Sequence, residues 1–137
     1  MGLMLDSSIV IGAERRGDTP DQLIEQLANA IPDQPMAISA IALTEIVHAV
    51  FRAPNLERRT LREQFIQQLM MDIAVVPYTR TTAFLAGQID GQQRAAGVTI
   101  PSVDLFIGVT ALEIGYSVVT ANLRHFQLIP GLHVIAL

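Results

Sequence analysis

The sequence has no cysteine, and all nine of its lysine-or-arginine positions are arginine. Without cysteine there can be no disulfide framework and no thiolate ligand for a soft metal. No stretch reaches the ~18 uninterrupted apolar residues of a membrane span. The opening "MGLMLDSS" has no basic segment and carries Asp6 within its apolar stretch, so no secretory signal peptide is expected there. Internal repeats, low-complexity tracts and linkers are missing too. So are a P-loop, a dinucleotide fingerprint and the elbow motif of a Ser-His-Asp enzyme. These absences point to a soluble, cytoplasmic protein.

The chain has 137 residues, half of them apolar, with a mean hydropathy of +0.40. That is material for one core, and residues 1–137 are expected to form a single domain. A net charge of −4 and a pI near 5.2 exclude a protein that wraps nucleic acid with a broad positive field. They do not exclude a nuclease, whose acidic metal site makes the count negative by itself. Arginine offers planar, bidentate contacts to phosphate or carboxylate, although gene base composition yields the same bias.

"GLMLD" reads as a short strand, followed by the helix "SSIVIGAERRG" closed by Gly17. "TPDQLIEQLANAI" opens with a capping signature: Thr19, Pro20 at the first helical position, and Gln22 three residues after Thr19. A strand "PMAIS" and the helix "AIALTEIVHAVFRA" come next, the latter stopped by Pro54. In "NLERRTLREQFIQQLMMD", Leu61, Phe65 and Leu69 recur at i, i+4 spacing. The strand "IAVVPY", the helix "TRTTAFLAGQIDGQQRAAG", the helix "IPSVDLFIGVTALEIG", and the strands "SVVT" and "HVIAL" complete the chain, the last after the turn "IPG". Strands alternate with helices and are short, apolar and unalternating. The pattern predicts an α/β fold with a parallel sheet covered on both faces. Ligands bind such sheets beyond the carboxyl ends of the strands. Asp6 ends the first strand, and Thr120 to Asn122 end the fourth.

Three acids draw attention. Asp6 reads either as a helix N-cap or as a site residue at the sheet edge. Around the third helix, Leu43, Ile46, Val47 and Val50 form one predicted face with Glu45 opposite, which suggests a solvated carboxylate. Yet Ile41, Ala42 and Ala49 make that side apolar for open water. Asp104 stands in the first turn of a helix that is apolar nearly all round. There it either serves the helix end or needs a positive partner, and no arginine stands beside it in sequence. Should the three converge, their repulsion would be costly without a cation, and oxygen-only ligands suit Mg²⁺ or Mn²⁺ rather than zinc. His48 reads as a surface or packing residue. His125 and His133 have no partner at metal-ligand spacing, and Asp90 with Arg94 reads as an exposed i, i+4 ion pair.

Taken together, "GLMLDSSIVIGAERRG", "ALTEIVHAV" and "VDLFIGVTALEIGYSVVTANLRHFQLIPGL" resemble the signature blocks of PIN-domain ribonucleases, above all the VapC-type toxins of bacterial toxin–antitoxin pairs. The resemblance spans nearly the whole chain and implies a short parallel sheet with helices on both faces and an acidic cluster at its carboxyl edge. It implies that Asp6, Glu45 and Asp104 are the metal-binding and catalytic acids, with Asp6 and Asp104 the most direct ligands. Asn122 falls where many relatives carry a fourth acid. Serines 7 and 8 and Thr120 would fix the ligands' rotamers. The implied activity is Mg²⁺- or Mn²⁺-dependent hydrolysis of RNA phosphodiester bonds by a toxin that a small antitoxin neutralises, and the implied assembly is a homodimer. Arg15, Arg16, Arg52, Arg58, Arg59 and Arg62 would grip the RNA backbone beside the acids.

Other classes fit less well. A haloacid-dehalogenase-like phosphatase wants a second aspartate at position 8, where Ser8 stands, and a receiver domain wants a late lysine. A catalytically inactive PIN-fold binding module remains the alternative, which metal-dependent RNA cleavage separates.

Overall fold

The computed structural model describes residues 1–137. Its elements in chain order are β1 (Leu3–Leu5), α1 (Ser7–Arg15), α2 (Pro20–Ala30), β2 (Met36–Ser39), α3 (Ala40–Phe51), α4 (Leu56–Asp72), β3 (Ala74–Val76), α5 (Arg80–Ala95), α6 (Ser102–Ile114), β4 (Ser117–Thr120), α7 (Leu123–Phe126) and β5 (Val134–Ala136).

Local signals set most boundaries. Thr19 accepts from the Gln22 N–H at 3.1 Å while the Gln22 side chain accepts from the Thr19 N–H at 2.8 Å, completing the capping box that starts α2. Asn55 caps α4 by accepting from the Arg58 N–H. α6 ends at Gly115, whose φ of 74° is the left-handed conformation that glycine adopts without a Cβ penalty.

All strand pairings are parallel, in the order β3-β2-β1-β4-β5. The chain runs outward from β1 through β2 to β3, then returns across β1 to add β4 and β5. The direction of winding therefore reverses between β1 and β4, and a crevice opens there beyond their carboxyl ends. Side chains alternate across the sheet: Leu3 and Leu5 join one core with Ile9, Val10, Leu23, Leu27, Phe65 and Leu69. Met4 points into a second core with Ala86, Leu105, Ile107, Phe126 and Ile129. The expected sandwich of helix, sheet and helix is the one observed.

Three local expectations are corrected. β3 leaves Ala74 and Val75 exposed because it is an edge strand, so only the inner strands meet the doubly covered pattern. Leu61 is 46% exposed whereas Phe65 and Leu69 are buried, since only the second half of α4 reaches the core. The short α7 escaped the sequence reading altogether. Four residues are little more than one helical turn and carry no period to detect, yet Phe126 within it is fully buried. Burial of such a side chain contributes about 1.5–3 kcal/mol, enough to anchor the element.

Candidate active site

Asp6 stands at the β1–α1 junction, over the crevice. Its backbone N–H bonds the Val119 carbonyl of β4, which fixes the junction against the neighbouring strand. The residue occupies the N-cap position of α1, but its carboxylate caps nothing. It is only 4% exposed and faces hydroxyls instead. Oδ2 accepts from Ser8 Oγ at 2.7 Å and from Thr120 Oγ1 at 2.9 Å. Those hydroxyls are themselves oriented, because Ser8 Oγ accepts from the Ala121 N–H and Thr120 Oγ1 from the Asn122 N–H. The turn after β4 therefore turns both hydroxyl protons toward Asp6. Oδ1 has only a 3.5 Å approach from Ser7 Oγ, whose single proton has a shorter path to Glu45 Oε1 at 2.7 Å. The capping alternative for Asp6 is thereby excluded, and the expected partnership of Ser7, Ser8 and Thr120 with the acids is present.

Glu45 lies at the edge of the buried face of α3, not opposite it. The face is built on Ala42, Ile46, Ala49 and Val50, while Val47 is exposed. Alanines that carry little weight in a periodicity argument proved to be the packed ones. Burial is the main cause that pushes the Glu45 carboxyl above its ordinary pKa, offset in part by the Ser7 bond. The charges of Asp6 and Asp104 push it further up, and Arg52 pulls it back.

Asp104 sits in the first turn of α6 without capping it. Its Oδ2 bonds His125 Nδ1 on α7 at 2.7 Å. Burial is again the leading cause of a raised pKa; the His125 bond opposes it, and the Asp6 charge adds to it. His125 is thus the residue that sequence reasoning missed: it lacked a partner by spacing and found one through the unrecognised helix. Asn122 is exposed and does not cap α7 with its side chain, but it lines an open depression together with Asp104, Ala121, Leu123, Arg124 and His125.

Asp6 therefore exerts its charge on both Glu45 and Asp104. As the side chains stand, no group of three His, Cys, Asp or Glu residues is arranged to hold a metal ion. The donor chemistry nevertheless fits a hard divalent cation, since the acids offer oxygen only and suffer from one another's charge. The expected arginine grip is partly corrected. Arg58 reaches Glu14 at 3.3 Å, and Arg62 reaches the same carboxylate at 3.5 Å while donating to the Ala49 carbonyl at 2.7 Å. These two tie α4 to α1 and α3. Arg59 lies over the Phe51 ring, and Arg94 pairs with Asp90 as expected.

The sheet order and the carboxylates at its switch point define an α/β domain with an acidic site. Residues 3–132 match the PIN domain model, and the chain belongs to that family, in its VapC ribonuclease branch. Ribonuclease VapC1 of Rickettsia felis is 30% identical over 135 residues, covering 98% of this chain and 96% of the relative. Among solved structures, the DNA-bound VapBC of Salmonella typhimurium superposes with a TM-score of 0.81 at 26% identity, over 99% of this chain and 98% of the other. VapBC-5 of Mycobacterium tuberculosis, a member of the VapBC family of toxin–antitoxin systems, gives 0.75 at 22% identity over the full length of both chains.

Proposed function

We propose that the protein is the ribonuclease toxin of a toxin–antitoxin pair, dependent on Mg²⁺ or Mn²⁺, acting in the cytoplasm as a homodimer and silenced by a small antitoxin. The observation that carries the enzymatic reading is Asp6. A carboxylate buried at the switch point, held through Oδ2 by oriented hydroxyls, serves neither the fold's helix cap nor an ion pair. The antitoxin partner is supported by the VapC relatives and by the solved VapBC of Salmonella typhimurium.

Asp6, Glu45 and Asp104 would hold the cation, and Asn122 would face it from the rim as a neutral oxygen. A bound Mg²⁺ or Mn²⁺ supplies an acidified water and offsets charge on the phosphodiester. The chain's own groups then have distinct tasks. Ser8 and Thr120 hold the Asp6 carboxylate in one rotamer, and Ser7 holds Glu45 through Oε1. Glu45, its Oε1 fixed by Ser7, is the group placed to take the proton of the attacking water as general base. The water oxygen bonds to phosphorus in line with the 3′ oxygen, whose bond to phosphorus breaks and which takes up a proton from solvent. The products are 5′-phosphate and 3′-hydroxyl ends.

The test is RNA cleavage by the purified protein with Mg²⁺, compared with Asp6→Asn and Asp104→Asn. Each variant replaces an anionic ligand by a neutral isostere, and a loss on the order of 10²-fold or more is expected. Full activity in either variant would overturn the assignment. Cleavage undiminished by EDTA would overturn the metal dependence. No cleavage by the wild-type chain over a range of RNAs, with Mn²⁺ bound, would favour the binding module.

A further inference from the structure

Each of the three acids has a side chain that fixes it by a hydrogen bond. Asp6 has the hydroxyls of Ser8 and Thr120, and Glu45 has that of Ser7. Asp104 has one hydrogen bond to the protein, from His125. That histidine is carried by α7, and how α7 is placed shows that the contact is built into the packing. Phe126, next in the chain, is fully buried, and Ile129 behind it is 2% exposed. Both pack against α6 at Gly108, one turn beyond Asp104. A Cβ at position 108 would run into Ile129 Cδ1 and come within 3.1 Å of Leu132 Cδ2 and 3.4 Å of Phe126 Cδ1. Glycine is what permits this approach. The notch at Gly108 thus seats Phe126 and sets His125 opposite Asp104 on the neighbouring turn.

We propose that His125 is a positioning residue for the cation site, an inference that rests on the metal-dependent reading above. Its Nδ1–H donates to Asp104 Oδ2, fixes the carboxylate plane and leaves Oδ1 as the oxygen presented to a metal. The side chain is 40% exposed and Asp104 23%, so the bond lies at the lip of the depression that Asn122 also lines, where an unheld carboxylate would sample several rotamers. Orientation by an outer partner of this kind typically changes metal affinity by about 10–100-fold.

The experiment measures Mn²⁺ affinity of the full chain by titration calorimetry, with the midpoint of thermal unfolding in EDTA as a separate reading of the fold. His125→Ala should weaken Mn²⁺ binding by about tenfold or more, with little change of the EDTA midpoint. His125→Asn places an amide N–H close to the former Nδ1 position and should restore most of that affinity. Asp104→Asn is the control for the site itself. If Asp104→Asn loses affinity while His125→Ala binds like wild type, positioning by His125 is wrong and the metal site stands. Equal losses in His125→Ala and His125→Asn also overturn it, because the hydrogen bond would then not be what matters. If Asp104→Asn binds Mn²⁺ like wild type, the metal reading fails and takes this inference with it. Should His125→Ala fail to fold, His125→Gln, which keeps an amide but displaces it toward Nε2, must bind more weakly than His125→Asn.

Discussion

Glu45 holds its proton more tightly in the folded chain than in an unfolded one, because burial and the charges of Asp6 and Asp104 outweigh the Ser7 bond and Arg52. Asp104 does the same despite its bond to His125. A carboxyl with a raised folded pKa adds stability that is fully present below the ordinary carboxylate range and is lost as pH rises through the raised value. The metal-free protein should therefore lose part of its stability as the pH rises above that range. Glu45→Gln, which cannot ionise, should lose less over the same interval, and thermal melting in EDTA at a series of pH values checks it. Parallel curves for the two proteins would mean that Glu45 does not titrate within the cluster. Much of this site was legible in the residues themselves. Asp6 follows a strand and Asp104 opens an apolar helix, so both were conspicuous. Glu45 was half legible: the helical period located it beside Ala42 and Ala49, but the weight given to Val47 set the buried face at the wrong phase. His125 was not legible, because its partner is 21 residues away on another element.

Elements announce themselves when they are long enough to carry a period or a cap. α2 did so through the capping signature at Thr19, and α4 through the i, i+4 spacing that Phe65 and Leu69 keep in its buried half. α7 offered no such signal, and β3, read as a strand, gave no sign that it lies at the edge of the sheet. An edge strand differs from an inner one only through tertiary neighbours, and α7 is too short to show a face. The α6–α7 contact is nevertheless closely specified, which a pair of glycine substitutions can show. Gly108→Ala forces a methyl into Ile129 and Leu132, an overpacking expected to cost about 1–3 kcal/mol and to displace α7. Gly91→Ala, within α5, meets nothing within 4 Å. There the gain in helix propensity should stabilise by about 0.5–1 kcal/mol. Chemical denaturation of both variants decides the matter: stability changes of the same sign would contradict the close docking at Gly108. The junction of α1 with α4 follows a different logic. Glu14 draws in Arg58 and Arg62, so these arginines hold helices together, while the Arg52 charge acts on Glu45.

At the scale of the whole molecule, an acidic protein of net charge −4 gathers carboxylates from three elements to one edge of its sheet. Their mutual repulsion weakens the fold whenever nothing cationic lies among them, so cation binding and folding should be thermodynamically linked. A ligand that binds only the folded chain stabilises it by mass action, by about 2.7 kcal/mol at a hundredfold excess over its dissociation constant. For a chain of this length that corresponds to a rise on the order of 10 °C in the unfolding midpoint. Mn²⁺ should therefore raise the midpoint relative to EDTA, and Asp6→Asn and Asp104→Asn should each shrink that rise. Asn122→Asp supplies the opposite perturbation. It adds about one negative charge at nearly constant volume on the rim of the depression that Asp104 shares. Without metal the added charge should lower the midpoint at neutral pH, with Arg124 and His125 offsetting part of the loss. With Mn²⁺ the same charge becomes a further hard ligand and should tighten binding. The variant must then melt lower than wild type in EDTA while gaining more from Mn²⁺. Identical midpoints for Asn122→Asp and wild type in both conditions would remove Asn122 from the site, leaving it as the turn residue between β4 and α7 whose N–H orients Thr120.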